Sequence, residues 1–297
     1  MPDQGQVTGF LEEAGLSERT KLEDYLLVAL GVRPLGLLTY PAEFPDAAEL
    51  GRRIDARFAG RYFGAGDPEL PVWTNFGNRL RYSLLRAVRS PVEYKTVLLR
   101  EVVNAVLAGS AAYQASREWA RRWGLHTREE EVRPSIRELY LVAPGPTAER
   151  LASLMELRER IRQEARAAFS PGIPPVLYIY PEERSADYVR GMGALLGYPE
   201  CCVEAYYRAR MRPPGDPGAV ASEQLSEAGD GVDPLAYFVR DFYPCRPACP
   251  EAIEVGRRAL TRLSGLDPRL PDRYLSLAGS NRDRLRAYPS GPPGGLP

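Results

Sequence analysis

Apolar positions along the chain recur with two different periods, and the change of period marks its elements. In KLEDYLLVALG, residues 21–31, the apolar residues follow helical spacing and stop at Gly31, which predicts a short helix. PLGLLTYP, residues 34–41, is a short apolar run between prolines and predicts a buried strand. DAAELGRRIDARFAG, residues 46–60, returns to the helical period, with Asp46 placed as an N-cap and Gly60 as a stop. GAGDPELPVWTNFGN, residues 64–78, is dense in Gly, Pro, Asp and Asn and reads as a loop. From Ser90 to Gly124 the pattern is helical throughout; Ser90-Pro91 with Glu93 resembles a capping box, and Gly109-Ser110 divides the run.

The second half alternates. IRELYLVAP, residues 136–144, predicts a strand, and residues 147–169 a strongly periodic helix opened by Thr147. PPVLYIYP, residues 174–181, predicts another strand, and SADYVRGMGALLG, residues 185–197, a helix capped by Ser185 and ended by Gly197. Strand, helix, strand, helix predicts a βαβ unit with parallel strands. The expected class is α/β (or α+β): a small parallel or mixed sheet with helices, after a largely helical N-terminal part. LHTREEEVRP, residues 125–134, reads as a linker. It divides a mainly helical region, 1–131, from an α/β region, 132–289, with a disordered tail at 290–297. The proline-rich segment 212–234 reads as an exposed, mobile loop, and residues 250–265 as one more helix.

Charge changes this picture little. Acidic and basic residues balance at 39 each, so no global field draws the protein to nucleic acid or an anionic membrane. The N-terminus lacks the basic start and apolar run of a signal peptide, and no stretch approaches the ~20 apolar residues of a membrane span. The expectation is a soluble cytoplasmic protein acting on an unknown small molecule or protein, with no membrane partner and nucleic acid disfavoured. Only Lys21 and Lys95 are lysines, against 37 arginines, which fits a GC-rich genome.

The four cysteines are gathered at two proline-marked points, GYPECCVEAYY (197–207) and YPCRPACPEA (243–252). Cys202-Val-Glu-Ala echoes Cys249-Pro-Glu-Ala. Each cysteine opens a predicted helix, where free N–H groups and a partial positive charge favour a thiolate. Two such helix starts converging would make a site for a metal, a cluster or thiol chemistry. Neighbouring helical residues point ~100° apart, so the expected set is three thiolates, Cys245, Cys249 and one of Cys201 or Cys202 (Cys202 foremost). Three ligands and an open coordination position describe a reactive zinc or iron–sulfur centre; whether the protein is an enzyme, and of what reaction, is left open by the sequence. Two alternatives stand beside this reading: a structural or interaction protein whose cysteines are disulfide staples, or one whose thiols are core.

These residues also carry a resemblance. Gly197, Tyr198, Pro199, Cys201 and Cys202, followed by Pro244, Cys245, Pro247, Cys249 and Ala252, are similar to the signature of a family of uncharacterised prokaryotic proteins, a domain of unknown function. The resemblance spans roughly residues 175–260. It implies that the two cysteine motifs belong together, and it implies no reaction.

Other signals have ordinary readings. His126 is the single histidine and reads as a surface residue. GMGALLG lies deep in a helix, where small residues allow close helix packing rather than dinucleotide binding. Residues 188–212 also fit two helices joined by a glycine turn, and Arg208, Arg210 and Arg212 make a weak helix-turn-helix nucleic-acid binder a further alternative. Glu200 and Glu204 sit where such a helix would meet bases.

Overall fold

The computed structural model describes residues 4–168, 180–213 and 215–288. In chain order the elements are α1 (Gln4–Glu12), a π-helical turn (Thr20–Leu26) running into α2 (Leu27–Ala29), β1 (Leu35–Tyr40) and α3 (Ala47–Tyr62). They continue with α4 (Val72–Val88), α5 (Pro91–Ala108), α6 (Ala111–Arg122), β2 (His126–Arg133) and β3 (Ile136–Val142). The described elements after β3 are helices: α7 (Pro146–Ala167), α8 (Ala186–Leu195), α9 (Glu200–Met211), α10 (Pro217–Ala228), α11 (Pro250–Ser264) and α12 (Leu270–Arg286). Among the described residues the protein is mostly helical (66%) with three strands, so the class is α+β.

The sheet corrects the expected topology. Its order is β1-β3-β2 and it is antiparallel, not parallel or mixed. The reason lies in residues 126–142. The segment expected as a linker is strand β2, and only Pro134 and Ser135 separate it from β3. A two-residue connection folds a strand back beside its predecessor, whereas a parallel pair needs a crossover of a dozen residues or more. The strand expected at 174–181 lies almost wholly in 169–179, outside the described residues, as does the tail expected at 290–297.

The chain divides into two compact units, each drawn from separate stretches. One gathers Leu22–Gly36 with the chain from Val142 onward, and the other Gly5–Lys21 with Leu37–Leu141. The second unit holds the sheet. Leu38 and Tyr40 of β1, with Leu139, Tyr140 and Leu141 of β3, are buried. Tyr40 Oη lies 3.1 Å from Ser116 Oγ on α6, and Phe10 of α1 packs edge-on against Trp119. The capping box at α5 is present, Ser90 Oγ accepting from Glu93 N–H and the Glu93 carboxylate from Ser90 N–H. His126 is exposed at the start of β2.

Two segments read as loops contain helices. α4 starts at Val72, and Asn75, taken as a turn residue, spends its amide on the loop before the helix. It accepts from Asp67 N–H and donates to the carbonyls of Asp67 and Leu70. In the segment 212–234, Asp216 caps α10 by accepting from Ala219 N–H, and Pro217 takes the first helical position. Prolines and aspartates that read as loop formers there are helix starters. α12 carries its buried residues Leu270, Tyr274, Ala278, Asn281 and Leu285 on one stripe. Its many charged positions hide that stripe in the sequence. No helix among the described residues is long and apolar enough to cross a membrane.

Candidate metal centre

Local chemistry brings the first cysteine pair into place. α8 ends on Gly197, whose φ of +75° lies in the left-handed region that glycine enters freely. Tyr198 N–H bonds back to the Gly193 carbonyl at 2.9 Å, closing a Schellman turn. Pro199 then caps α9, which starts at Glu200 and carries Cys201 and Cys202 in its first turn. α8 and α9 pack closely because Gly193 has no side chain; a Cβ there would lie 2.4 Å from Val203 Cγ2. This is the close packing expected of GMGALLG.

The second segment arrives through buried polar contacts. Tyr274 Oη donates to the Phe238 carbonyl at 2.7 Å, and Asn281 donates to the Tyr237 carbonyl at 3.1 Å. Glu23, buried in the π-helical turn, accepts from Arg240 N–H and from Asn281 Nδ2, each at 2.9 Å. These bonds fix residues 237–240, from which the chain runs to Cys245. Cys249 is the N-cap of α11, with Pro250 first in the helix. Gly256 lets α11 approach the Leu235 carbonyl, which a Cβ would meet at 2.4 Å.

Aromatic rings tie the two segments to each other. Tyr198 packs on Phe242 with centroids 4.8 Å apart and on Phe238 at 6.0 Å. Tyr206 and Tyr243 stack at 6.3 Å with planes 4° apart. Glu23, Tyr274 and Asn281 were not singled out in the sequence, where they stand as ordinary members of helical runs.

The four sulfur atoms meet. Cys201, Cys202, Cys245 and Cys249 offer Sγ atoms that all lie within 4.8 Å of one another. Cys201 and Cys202 are 3.8 Å apart, Cys201 and Cys249 3.7 Å, and Cys202 and Cys249 3.6 Å. All four are free, so the staples expected under the disulfide alternative are absent. The expected set of three is enlarged to four. The ~100° between adjacent helical residues keeps two side chains off one target beside a helix, but not off one lying beyond its first turn. Cys201 and Cys202 both reach such a point, off the end of α9.

Cys202 and Cys249 are buried, and Cys201 and Cys245 half-buried. Cys245 N–H points at Cys202 Sγ at 3.3 Å, a donor aimed at a sulfur that would carry charge. Cys249 Sγ lies 3.3 Å from Glu251 Oε2. Burial raises the thiols of Cys201 and Cys202 above their ordinary value and pushes Cys249 up to about 12. The helix starts alone therefore do not make thiolates here, contrary to the expectation from their dipoles. Desolvation wins, and only a cation within the group would reverse it.

Around this group the arginine face weighed for nucleic acid is partly spent. Arg210 pairs with Glu183, and Arg190 pairs with Glu204 on the neighbouring helix.

Both cysteine segments fall inside one region that matches a known family model. Residues 151–264 match the family model described as "Protein of unknown function (DUF483)". The matched stretch runs from α7 to the end of α11 and contains the region, roughly 175–260, of the resemblance to a domain of unknown function. The chain is also 32% identical to the "Uncharacterized protein MJ1106" of Methanocaldococcus jannaschii, over 36% of this chain and 57% of that one. The match thus spans little more than half the length of that relative. No solved structure matches the chain.

Proposed function

We propose that Cys201, Cys202, Cys245 and Cys249 hold a single divalent ion, zinc by the softness of its donors, in a closed tetrahedral site. One observation carries this reading. A tetrahedron with metal–sulfur bonds of about 2.3 Å has edges of about 3.8 Å. Three of the sulfur–sulfur separations here are 3.6, 3.7 and 3.8 Å. In an iron–sulfur cluster the thiolates are shared among several irons and stand apart around the cluster body. Four sulfurs within 4.8 Å favour one ion over a cluster.

Four protein donors complete the coordination, so the centre is read as closed rather than as a reactive one with an open position. Its task is to lock the start of α9 to the loop before α11, which makes this a metal-stabilised domain. Free thiols and thiolate ligation fit the reducing cytoplasm.

The test is elemental analysis with an absorption spectrum on protein purified without oxygen. One zinc per chain and no visible absorption are expected, with Cys245→Ser and Cys249→Ser each losing the ion. Protein that stays metal-free when zinc is supplied, or iron with acid-labile sulfide, would overturn the proposal.

A further inference from the structure

α4 presents a face that its own unit does not cover. Each helical residue is turned ~100° from the one before it. Val72, Ser83, Phe76, Ala87, Leu80, Trp73, Leu84, Gly77 and Val88 therefore follow one another around an arc of ~160°. All nine are exposed and none is charged. Trp73 is 86% exposed, and Leu80, at the centre of the arc, 58%. Tyr82, buried, and Asn75, Asn78 and Leu85, half-buried, hold the helix from the opposite side. The apolar arc thus points directly away from its own unit.

Arginines close the arc at both edges. Arg81 follows Val88 around the helix, and Arg79 and Arg86 precede Val72. α4 contains no acidic residue. From Val72 to Lys95 there are five basic side chains against Glu93 alone, in a chain whose charges balance overall. Arg81 is paired with Glu101, whereas Arg79 and Arg86 bond to neutral groups, the carbonyls of Ala65 and Tyr62. Both keep their charge at the flank of the apolar arc.

We propose that α4 lies on an anionic lipid surface, its apolar arc sunk into the boundary between headgroups and acyl chains and its border arginines on the lipid phosphates. The width of the arc favours lipid over a protein partner. A fluid surface closes around both flanks of a helix and covers everything from Val72 to Val88, whereas a flat protein surface meets the middle and leaves the edges wet. The arginines stand where their apolar stems lie along the acyl chains and their heads reach the phosphates. Trp, Phe and Leu on one face with basic residues beside them is the pattern of a helix that rests in the interfacial plane without crossing the membrane. The expectation of no membrane partner rests on the whole-chain balance, which averages this local excess away.

Co-sedimentation of the full chain with vesicles tests this. Phosphatidylcholine vesicles with about 30% phosphatidylglycerol should bind the protein at least ~10-fold more tightly than pure phosphatidylcholine. Tryptophan emission should shift to the blue on binding, and Trp73→Phe should remove the shift, since Trp119 is buried and Trp123 half-buried. Leu80→Glu should weaken binding at least ~10-fold by setting a charge in the middle of the apolar arc. Circular dichroism of that variant should be unchanged, because the side chain faces away from its unit. Arg79→Gln should weaken binding about fivefold at low salt. Protein left in solution, equal binding to both kinds of vesicle, or binding indifferent to Leu80→Glu would overturn the proposal. So would self-association at about 10 µM that Leu80→Glu abolishes, which would make the face an interface between copies of the chain.

Discussion

Cys202 and Cys249 stand 47 positions apart in the chain and 3.6 Å apart at their sulfur atoms. No disulfide joins them, and burial raises both thiols. An ion that replaces their protons links two segments whose rings already touch. Holding zinc at a thousand times its Kd should therefore stabilise the unit by about 4 kcal/mol. Urea unfolding with and without a chelator measures this, and identical curves would rule out a stabilising ion. The ring contacts of Tyr198 with Phe238 and Phe242 should keep the ion-free protein folded, with its circular dichroism retained.

The approach of α8 to α9 depends on Gly193. In Gly193→Ala the new Cβ would overlap Val203, which should cost about 1–3 kcal/mol. Val203→Ala opens the space, so the double variant should be more stable than the sum of the single effects by at least ~0.5 kcal/mol. Additive free energies would place the strain elsewhere. Gly256→Ala meets backbone at Leu235 and should find no such rescue.

Tyr274→Phe removes the hydroxyl that satisfies the buried Phe238 carbonyl. The expected loss is about 1–3 kcal/mol, the usual cost of stranding a buried acceptor. Because Phe238 lies in the segment that delivers Cys245, zinc affinity should fall as well. Lost stability at unchanged affinity would show that the two are uncoupled.

Glu182 offers the pH test. Its carboxylate accepts from Arg158 at 3.0 Å and from Arg162 at 3.1 Å, and both Glu182 and Arg158 are buried. Burial would raise this carboxyl, but bonds from Arg162 and from its own backbone, with the charges of Arg162 and Arg158, hold it below the ordinary 4.5. A depressed pKa contributes stability that is fully present above the unfolded value and lost as pH falls through the folded one. Glu182→Gln should cost about 1–3 kcal/mol at pH 7 by replacing charge-assisted bonds from Arg158 and Arg162 with neutral ones. The gap between wild type and variant should narrow below about pH 4. A gap that does not narrow as pH falls would mean that ionisation of Glu182 contributes nothing to stability.

The sequence by itself determined the helices with clear apolar stripes and caps, such as α5 and α8, the strands β1 and β3, and the pairing of the two cysteine motifs with each other. Those are local or compositional facts: a cap, a period of 3.6, sulfur gathered at two points. It misjudged whatever depended on long-range partners. β2 reads as a charged linker because its carboxylates are matched by arginines elsewhere, Glu131 by Arg100 and Glu129 by Arg137. The start of α4, residues 72–78, reads as loop because of its Gly and Asn content, and Asn75 spends its amide on the loop before the helix. The count of ligands was likewise a tertiary decision. Helix geometry taken alone separates Cys201 from Cys202. Only the packing of Val203 against Gly193 and of Tyr198 against Phe242 carries the start of α9 to the turn before α11, where both sulfurs reach the same point.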